Sequence, residues 1–458
     1  KIVAGQANII GVTLGGVPAE VTIGSGPVET TANGGNDSLV FAGPLPKTMI
    51  VEALDADANV IVGPGAPTLS VTSNPAIVTA VAVPTVGGSA QTTNEFIVTP
   101  TALGTTSLTL TATQSITGGS TVAAAVPTIV SPILGVANTG ASDTSSSITE
   151  YAPWSASPAL TITNGISNPI ALAAGALGTL YVLDGPTGAL PNTIEAYSDG
   201  GTTISRTITA GLDGPDAIVV DQKNGTLYVA NATNNTITEY AANTTAVLRT
   251  IPAANGINGP AALAIDGSEN LYVANYTGNT VTEYAPGSIV PLRTIATGVS
   301  GPFGLAINAL TGTVFVANLT ANDITAYTTA SGLAPAVTFT GTDFADATPL
   351  TTPETPIGID SNARIYAANN AAAPASITTY TLANGAAPTT DLITSDVNLP
   401  LAVALDNTNN LYVANQVGTI NPHGTITVYA GGGQVNTRTL GGTLGLVYGP
   451  TAILPIGP

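Results

Sequence analysis

The sequence predicts an all-β protein: a strand-rich N-terminal region followed by a seven-bladed β-propeller closed by its own chain ends. Three observations predict it. The first is a five-residue phrase, Leu271-Tyr272-Val273-Ala274-Asn275, which recurs with small changes and ends in Asn or Asp at 138, 184, 231, 275, 318, 369 and 415. The steps between these ends are 46, 47, 44, 43, 51 and 46 residues, and a near-constant step carried by strand-forming residues marks a propeller or solenoid. The second is that four strand-like pieces make up each full unit. The third is that the repeat region begins on a second strand, at 134, and ends on a surplus first strand, Pro450 to Pro455. The missing and the extra piece complete one another, and a ring removes the open sheet edges that a stack would leave.

The elements follow in chain order. Residues 1–44 hold short β-prone pieces separated by Gly-rich turns, among them Ile9-Ile10-Gly11-Val12-Thr13-Leu14, with the punctuation that separates strands. Strands are then expected at 48–54, 60–62, 67–72, 76–82, 94–99 and 105–112. In the last of these Leu108, Leu110 and Ala112 alternate with Ser107, Thr109 and Thr111, the pattern of a half-buried strand. Ala123 to Pro132 carries two prolines without a clear period and reads as a linker. The domains are thus 1–127, in which 1–44 is an extension or a strand shared with another molecule, and 128–458.

Within the repeats the first strand follows a Pro at 169, 215, 260, 302, 356 and 400. The second is the Leu-Tyr-Val-Ala-Asn phrase. The third ends in Tyr at 151, 197, 240, 284, 327, 380 and 429, and the fourth resembles Leu248-Arg249-Thr250-Ile251. This combination resembles β-propellers of the NHL and YVTN type over roughly 133–458. The stretches 52–63, 73–81 and 104–113 resemble bacterial Ig-like domains, which implies a β-sandwich over 1–127. The propeller resemblance names an architecture that serves enzymes, binders and scaffolds alike.

Composition narrows the partners. Charged residues are 8% of the chain and the net charge is −19, with eight Lys and Arg in all. So few cations cannot neutralise a row of phosphates, which argues against nucleic acid. No apolar run is long enough to span a bilayer, so no membrane insertion is expected. Few ion pairs also means little to lose on acidification, hence an expectation of acid tolerance. Cysteine is absent, which excludes disulfides and leaves the redox compartment open. The chain starts at Lys1 without a leader pattern; the expectation is a removed leader and an extracellular or cell-surface protein.

Candidate chemistry is sparse. Asp221, Asp266, Asn308, Asp360 and Asp406 recur between first and second strands, where Asx residues close tight turns on their own backbone. The recurring Tyr residues are expected to pack between blades. Propeller enzymes of the gluconolactonase and virginiamycin-lyase kinds, by resemblance, would place polar ligands near the axis. Here the residues after each opening Pro are Ile170, Asp216, Ala261, Phe303, Ile357, Leu401 and Thr451, of which only Asp216 is ionisable. One histidine, His423, rules out a multi-histidine metal site in one chain. Asp55-Ala56-Asp57-Ala58-Asn59 spaces oxygens like the start of a calcium loop but lacks the Gly and the distant Glu. No catalytic, cofactor or metal residue is assigned, and no cofactor is expected.

Sequons occur at Asn36, Asn224, Asn231, Asn234, Asn243, Asn275 and Asn318, candidates for glycan attachment. Ile9, Ile10, Val12 and Leu14 are candidates for strand addition to a neighbouring subunit. Three functions fit these features. The leading one is an extracellular structural or adhesive subunit, without enzymatic activity, that self-associates or meets cell-surface partners. The second is a propeller that binds carbohydrate or peptide through loop aromatics such as Trp154, Phe344 and Tyr448. The third is a metal-dependent lyase or lactonase.

Overall fold

A computed structural model describes residues 12–14, 17–25, 28–29, 38–42, 47–62, 66–75, 78–83, 94–101, 104–114, 119–131, 133–139, 146–151, 158, 160–175, 179–185, 191–197, 201–328, 332–340, 356–370, 375–381, 389–406, 409–416, 424–441 and 450–456. The chain divides into two compact units that meet in sequence between Pro132 and Ile133.

The first unit has two sheets. One runs Val12–Leu14, Val60–Val62, Lys47–Leu54, Glu95–Pro100, Val78–Ala82, with Glu20–Ser25 also paired to Lys47–Leu54. The other runs Val28–Glu29, Ser38–Ala42, Thr121–Ser131, Gly104–Thr113, Thr68–Thr72. Their inward side chains make one core: Met49, Val51, Phe96 and Val98 from the first sheet lie with Leu108, Leu110 and Ala112 from the second. Fully burying a side chain of this size contributes about 1.5–3 kcal/mol. The alternation expected for 105–112 is present, with Leu108, Leu110 and Ala112 all fully buried.

One expectation needs correction here. Over residues 123–131 the supposed linker is instead part of an eleven-residue strand, Thr121–Ser131; Pro132 lies outside the described residues. Val122, Ala124 and Val126 pack on the core, but Ala123 and Ala125 stand at the alternate positions, so small apolar residues on both faces erase the period-2 signal. Pro127 is tolerated because it faces Ser107 on one side, one residue before pairing with Ser38–Ala42 begins at Thr128. Val12 and Leu14, candidates for strand addition, lie in Val12–Leu14, which pairs in parallel with Val60–Val62 of the same chain and stands at the end of its sheet among the described residues. Ile9 and Ile10 lie outside the described residues.

The second unit holds seven four-stranded antiparallel sheets among the described residues, a propeller-like arrangement. The second to seventh sheets open with Pro169–Ala174, Pro215–Val220, Pro260–Ile265, Pro302–Ile307, Ile357–Ile359 and Pro400–Leu405. In each of these, neighbours in the sheet are also neighbours in sequence. In the first sheet Ile133–Asn138 pairs with Ser147–Tyr151 on one side and with Pro450–Ile456 on the other.

Fixed positions hold each sheet together. A Gly before the opening Pro, such as Gly259 or Gly301, has φ of 62° or 58°. A Cβ at Gly259 would sit 2.3 Å from Thr277 Oγ1, so only glycine fits there. The phrase-ending Asn275 is fully buried; its Oδ1 accepts the Asn258 N–H (3.0 Å) and its Nδ2 donates to Thr282 Oγ1 (3.1 Å). Asn231, Asn318 and Asn415 repeat the arrangement. In five sheets the third-strand Tyr hydroxyl donates to a carbonyl in the loop leading into its own sheet, as Tyr284 to Asn255 (2.8 Å) and Tyr327 to Thr297 (2.7 Å), whereas the Tyr151 and Tyr380 hydroxyls are buried without a partner among the described residues. These bonds satisfy buried polar groups in the same place in successive sheets.

Candidate functional site: the axial pocket

The opening strands create the most distinctive concavity. A pocket of about 100 Å³ is lined by the starts of the first strands of the second to sixth sheets and by Ala452 and Ile453 of Pro450–Ile456. A β-bulge puts one extra residue into the opening strand, between Pro169 and Ala171, Pro215 and Ala217, Pro260 and Ala262, Pro302 and Gly304, and Pro400 and Ala402. The first sheet has its own register shift, with Ala137 facing Ala452 and Asn138 facing Pro450. The bulged residues are thus Ile170, Asp216, Ala261, Phe303, Leu401 and Thr451. They are six of the seven post-proline positions that the sequence singled out, Ile357 being paired without a shift, and bulges re-aim side chains beside functional sites.

Asp216 is the ionisable residue among those lining the pocket, beside Ile170, Ala171, Leu172, Ala217, Ile218, Ala261, Ala262, Leu263 and others of the same aliphatic kind. Burial in these surroundings pushes its carboxyl up to about 6, because little water remains to solvate the anion. A divalent cation needs several oxygen or nitrogen donors. A lone carboxylate does not fit one, and no group of three His, Cys, Asp or Glu residues that could hold a metal occurs among the described residues.

The other singled-out residues fall into clear structural places. Asp266 Oδ1 accepts the N–H groups of Ser268 (2.8 Å) and Asn270 (2.9 Å), and Asp360 Oδ1 those of Asn362 (2.9 Å) and Arg364 (2.8 Å). Asp221, Asn308 and Asp406 do the same in their turns. The second oxygens of Asp360 and Asp406 accept the hydroxyls of Tyr366 (3.2 Å) and Tyr412 (2.9 Å). Three of these turns, around Asn308, Asp360 and Asp406, border a groove of about 350 Å³, but their side-chain oxygens are already engaged within the turns. Asp55 likewise accepts the N–H groups of Asp57 and Asn59, both at 2.9 Å, with Ala58 at φ 61°. That is a tight turn closing on itself.

The sequons separate by burial. Asn224, Asn234 and Asn243 are exposed. Asn231, Asn275 and Asn318 are completely buried and donate their Nδ2 hydrogens to threonines of the third strand. A glycan on that nitrogen would break the bond and has no room, so these three are corrected from candidate acceptors to structural residues. Asn36, His423, Trp154, Phe344 and Tyr448 lie outside the described residues.

Sequence reasoning missed one pair. In the second sheet Asp184 stands where the others have Asn, and Glu195 where they have Thr. Both are buried, at 1% and 5% exposure. The signal was present in the repeat frame, as two acids at positions that are uncharged in every other copy.

No family model matches the chain, and no curated protein matches it in sequence. Similarity appears at the level of fold. A protein from Lactobacillus plantarum superposes with a TM-score of 0.54 at 16% identity, covering 71% of this chain and 99% of that one. A 6-phosphogluconolactonase candidate from Bacteroides fragilis gives 0.53 at 14% identity, covering 71% and 98%. With the seven four-stranded sheets, these likenesses place the larger unit in a β-propeller fold.

Proposed function

We propose that the larger unit is a seven-bladed ring, of NHL or YVTN type, whose axial pocket receives a small uncharged ligand beside the Asp216 carboxyl. Support for the ring comes from the opening strands. They touch in succession from Pro169–Ala174 to Pro400–Leu405, and Pro450–Ile456 touches both ends of that series. The smaller unit is read as an Ig-like sandwich, on the strength of its two sheets and their common core.

Asp216 carries the ligand reading. A carboxyl with a pKa of about 6 is ionised at neutral pH yet basic enough to take a proton from water, the property wanted in a general base. The fold-level likeness to a lactonase candidate makes lactone hydrolysis the reaction to try first. A phosphorylated substrate is disfavoured, since no Lys or Arg lines the pocket and a phosphate wants cationic donors. No step is routed through a metal.

The test is hydrolysis of neutral sugar lactones by the full chain. Turnover should rise through pH 6 and fall about 10²-fold or more in Asp216→Asn, with the circular dichroism spectrum unchanged. Equal rates in the two proteins would sink the reading. A second reading, an extracellular structural or adhesive subunit that self-associates, draws support from Val247, Leu248, Val290 and Leu292. These lie 39%, 56%, 63% and 58% exposed, in or beside the outermost strands of adjacent sheets. Contiguous exposed apolar surface marks a contact site. A chain inert toward every lactone but sedimenting as a polymer would favour this second reading.

A further inference from the structure

We propose that Asp184 takes up a proton that supplies the missing donor toward Glu195, so that the second sheet is fastened in acid and loosened near neutrality. The argument starts from the other sheets. There an Asn Nδ2 donates to a Thr Oγ1 on the third strand, at 2.9 Å for Asn138–Thr149, 2.9 Å for Asn231–Thr238 and 3.0 Å for Asn318–Thr325. In the second sheet both members are replaced by carboxyl groups at the same places in the strand pairing, Leu180–Asp184 against Thr193–Tyr197.

Half of the old arrangement survives. Asp184 Oδ1 accepts the backbone N–H groups of Ser167 (3.2 Å) and Asn168 (2.9 Å), as the Asn Oδ1 does elsewhere. Asp184 Oδ2, which takes the place of the donating Nδ2, is buried with no partner. Glu195 Oε2 is held by the Thr207 hydroxyl at 2.6 Å. Two ionised carboxylates can only accept hydrogen bonds, so this position lacks a donor. One added proton supplies it and removes the repulsion between like charges.

The electrostatic surroundings offer no alternative remedy. Glu195, on the adjacent strand, is the charged group acting on Asp184, and Tyr197 is the titratable group beside both. The Tyr197 hydroxyl is committed to the Asn164 carbonyl. Arg206, on the fourth strand, is engaged with Tyr181 and Asn243. The segments 163–168 and 185–192 that flank the pair contain no ionisable side chain. Burial first, and then Glu195, push Asp184 up to about 6 against the lowering pull of the two backbone N–H groups.

The direction of the pH effect follows. A carboxyl whose pKa is raised by folding stabilises the protein fully below its unfolded value of 3.8, and that contribution is lost as pH rises through about 6. The experiment compares unfolding of the full chain at pH 5.0 and 7.5 for the wild type, Asp184→Asn, and the double variant Asp184→Asn with Glu195→Thr. The double variant copies the pair used in the other sheets. Each variant should raise the folding equilibrium constant at pH 7.5 on the order of tenfold and should flatten the decline from pH 5.0 to 7.5. In the wild type at pH 5.0, infrared spectra should also show protonated carboxyl absorption that Asp184→Asn reduces, with the buried Asp216 carboxyl accounting for part of what remains. Wild-type and variant pH profiles of the same slope, or a protonated-carboxyl absorption unchanged in Asp184→Asn, would overturn the proposal.

Discussion

The two units reach an all-β structure by different routes. In the larger unit, strands adjacent in a sheet are adjacent in the chain, except where Ile133–Asn138 meets Pro450–Ile456. In the smaller unit sequential pairings are mixed with long-range parallel ones. Ser38–Ala42 runs parallel to Thr128–Ser131, and Val12–Leu14 runs parallel to Val60–Val62. A repeated local unit can place the same polar bond in every copy, so the larger unit is held by many small, equivalent fastenings. The smaller unit has one core between two sheets, and each core residue there bears on the whole.

The largest expected effect tests that contrast in the smaller unit. Leu110 is fully buried, and its register partners are Val71 and Ala124. Replacement by Ala should cost about 2–5 kcal/mol, the usual range for a buried Leu that leaves a cavity. Urea unfolding followed by a probe confined to this unit would measure it. A cost under about 1 kcal/mol would mean that the site collapses freely and that the shared core is looser than the packing indicates.

Asn275→Ala tests the other route. It removes an acceptor for the Asn258 N–H and a donor for Thr282 Oγ1, both near a residue with no exposed surface. Leaving such groups unpaired costs about 1–3 kcal/mol. The effect should recur with similar size for Asn318→Ala, since the same bonds are made there. Very different costs at the two sites, by thermal unfolding, would break the claim that the fastenings are equivalent.

The same contrast governs what could be read beforehand. The repeat strands were legible because their partners lie a few residues away and every copy reinforces the pattern. Even the fourth strands, such as Val337–Phe339 and Arg438–Gly441, sit where the repeat places them. Strand Thr121–Ser131 was not legible, because its Ala-rich face hides the alternation and its parallel partner is some ninety residues away. At the candidate site, the residues after each opening Pro could be picked out by position. That bulges present them could not, since a bulge is a property of register between two strands. The burial of Asn231, Asn275 and Asn318 was equally hidden, because a sequon reads the same on a surface turn as at the buried end of a strand.

The smallest effect sharpens the comparison within the larger unit. Tyr284→Phe keeps the ring packed and deletes only the hydroxyl bond to the Asn255 carbonyl, 2.8 Å long. Tyr284 is fully buried but its bond to the carbonyl is only part-buried, so water replaces the hydroxyl in part and the expected cost is about 1 kcal/mol or less. Tyr276, in the same sheet's second turn, is 40% exposed, so its hydroxyl can exchange one water for another. Tyr276→Phe should be close to neutral in the same unfolding assay. If the two substitutions cost the same, the lead-in loop is not held by the tyrosine, and stability in this unit must come from apolar packing between sheets. If only Tyr284→Phe is felt, the recurring Tyr has a second duty beyond packing: it fixes where the chain enters each sheet, and with it the bulge that sets Asp216 at the pocket.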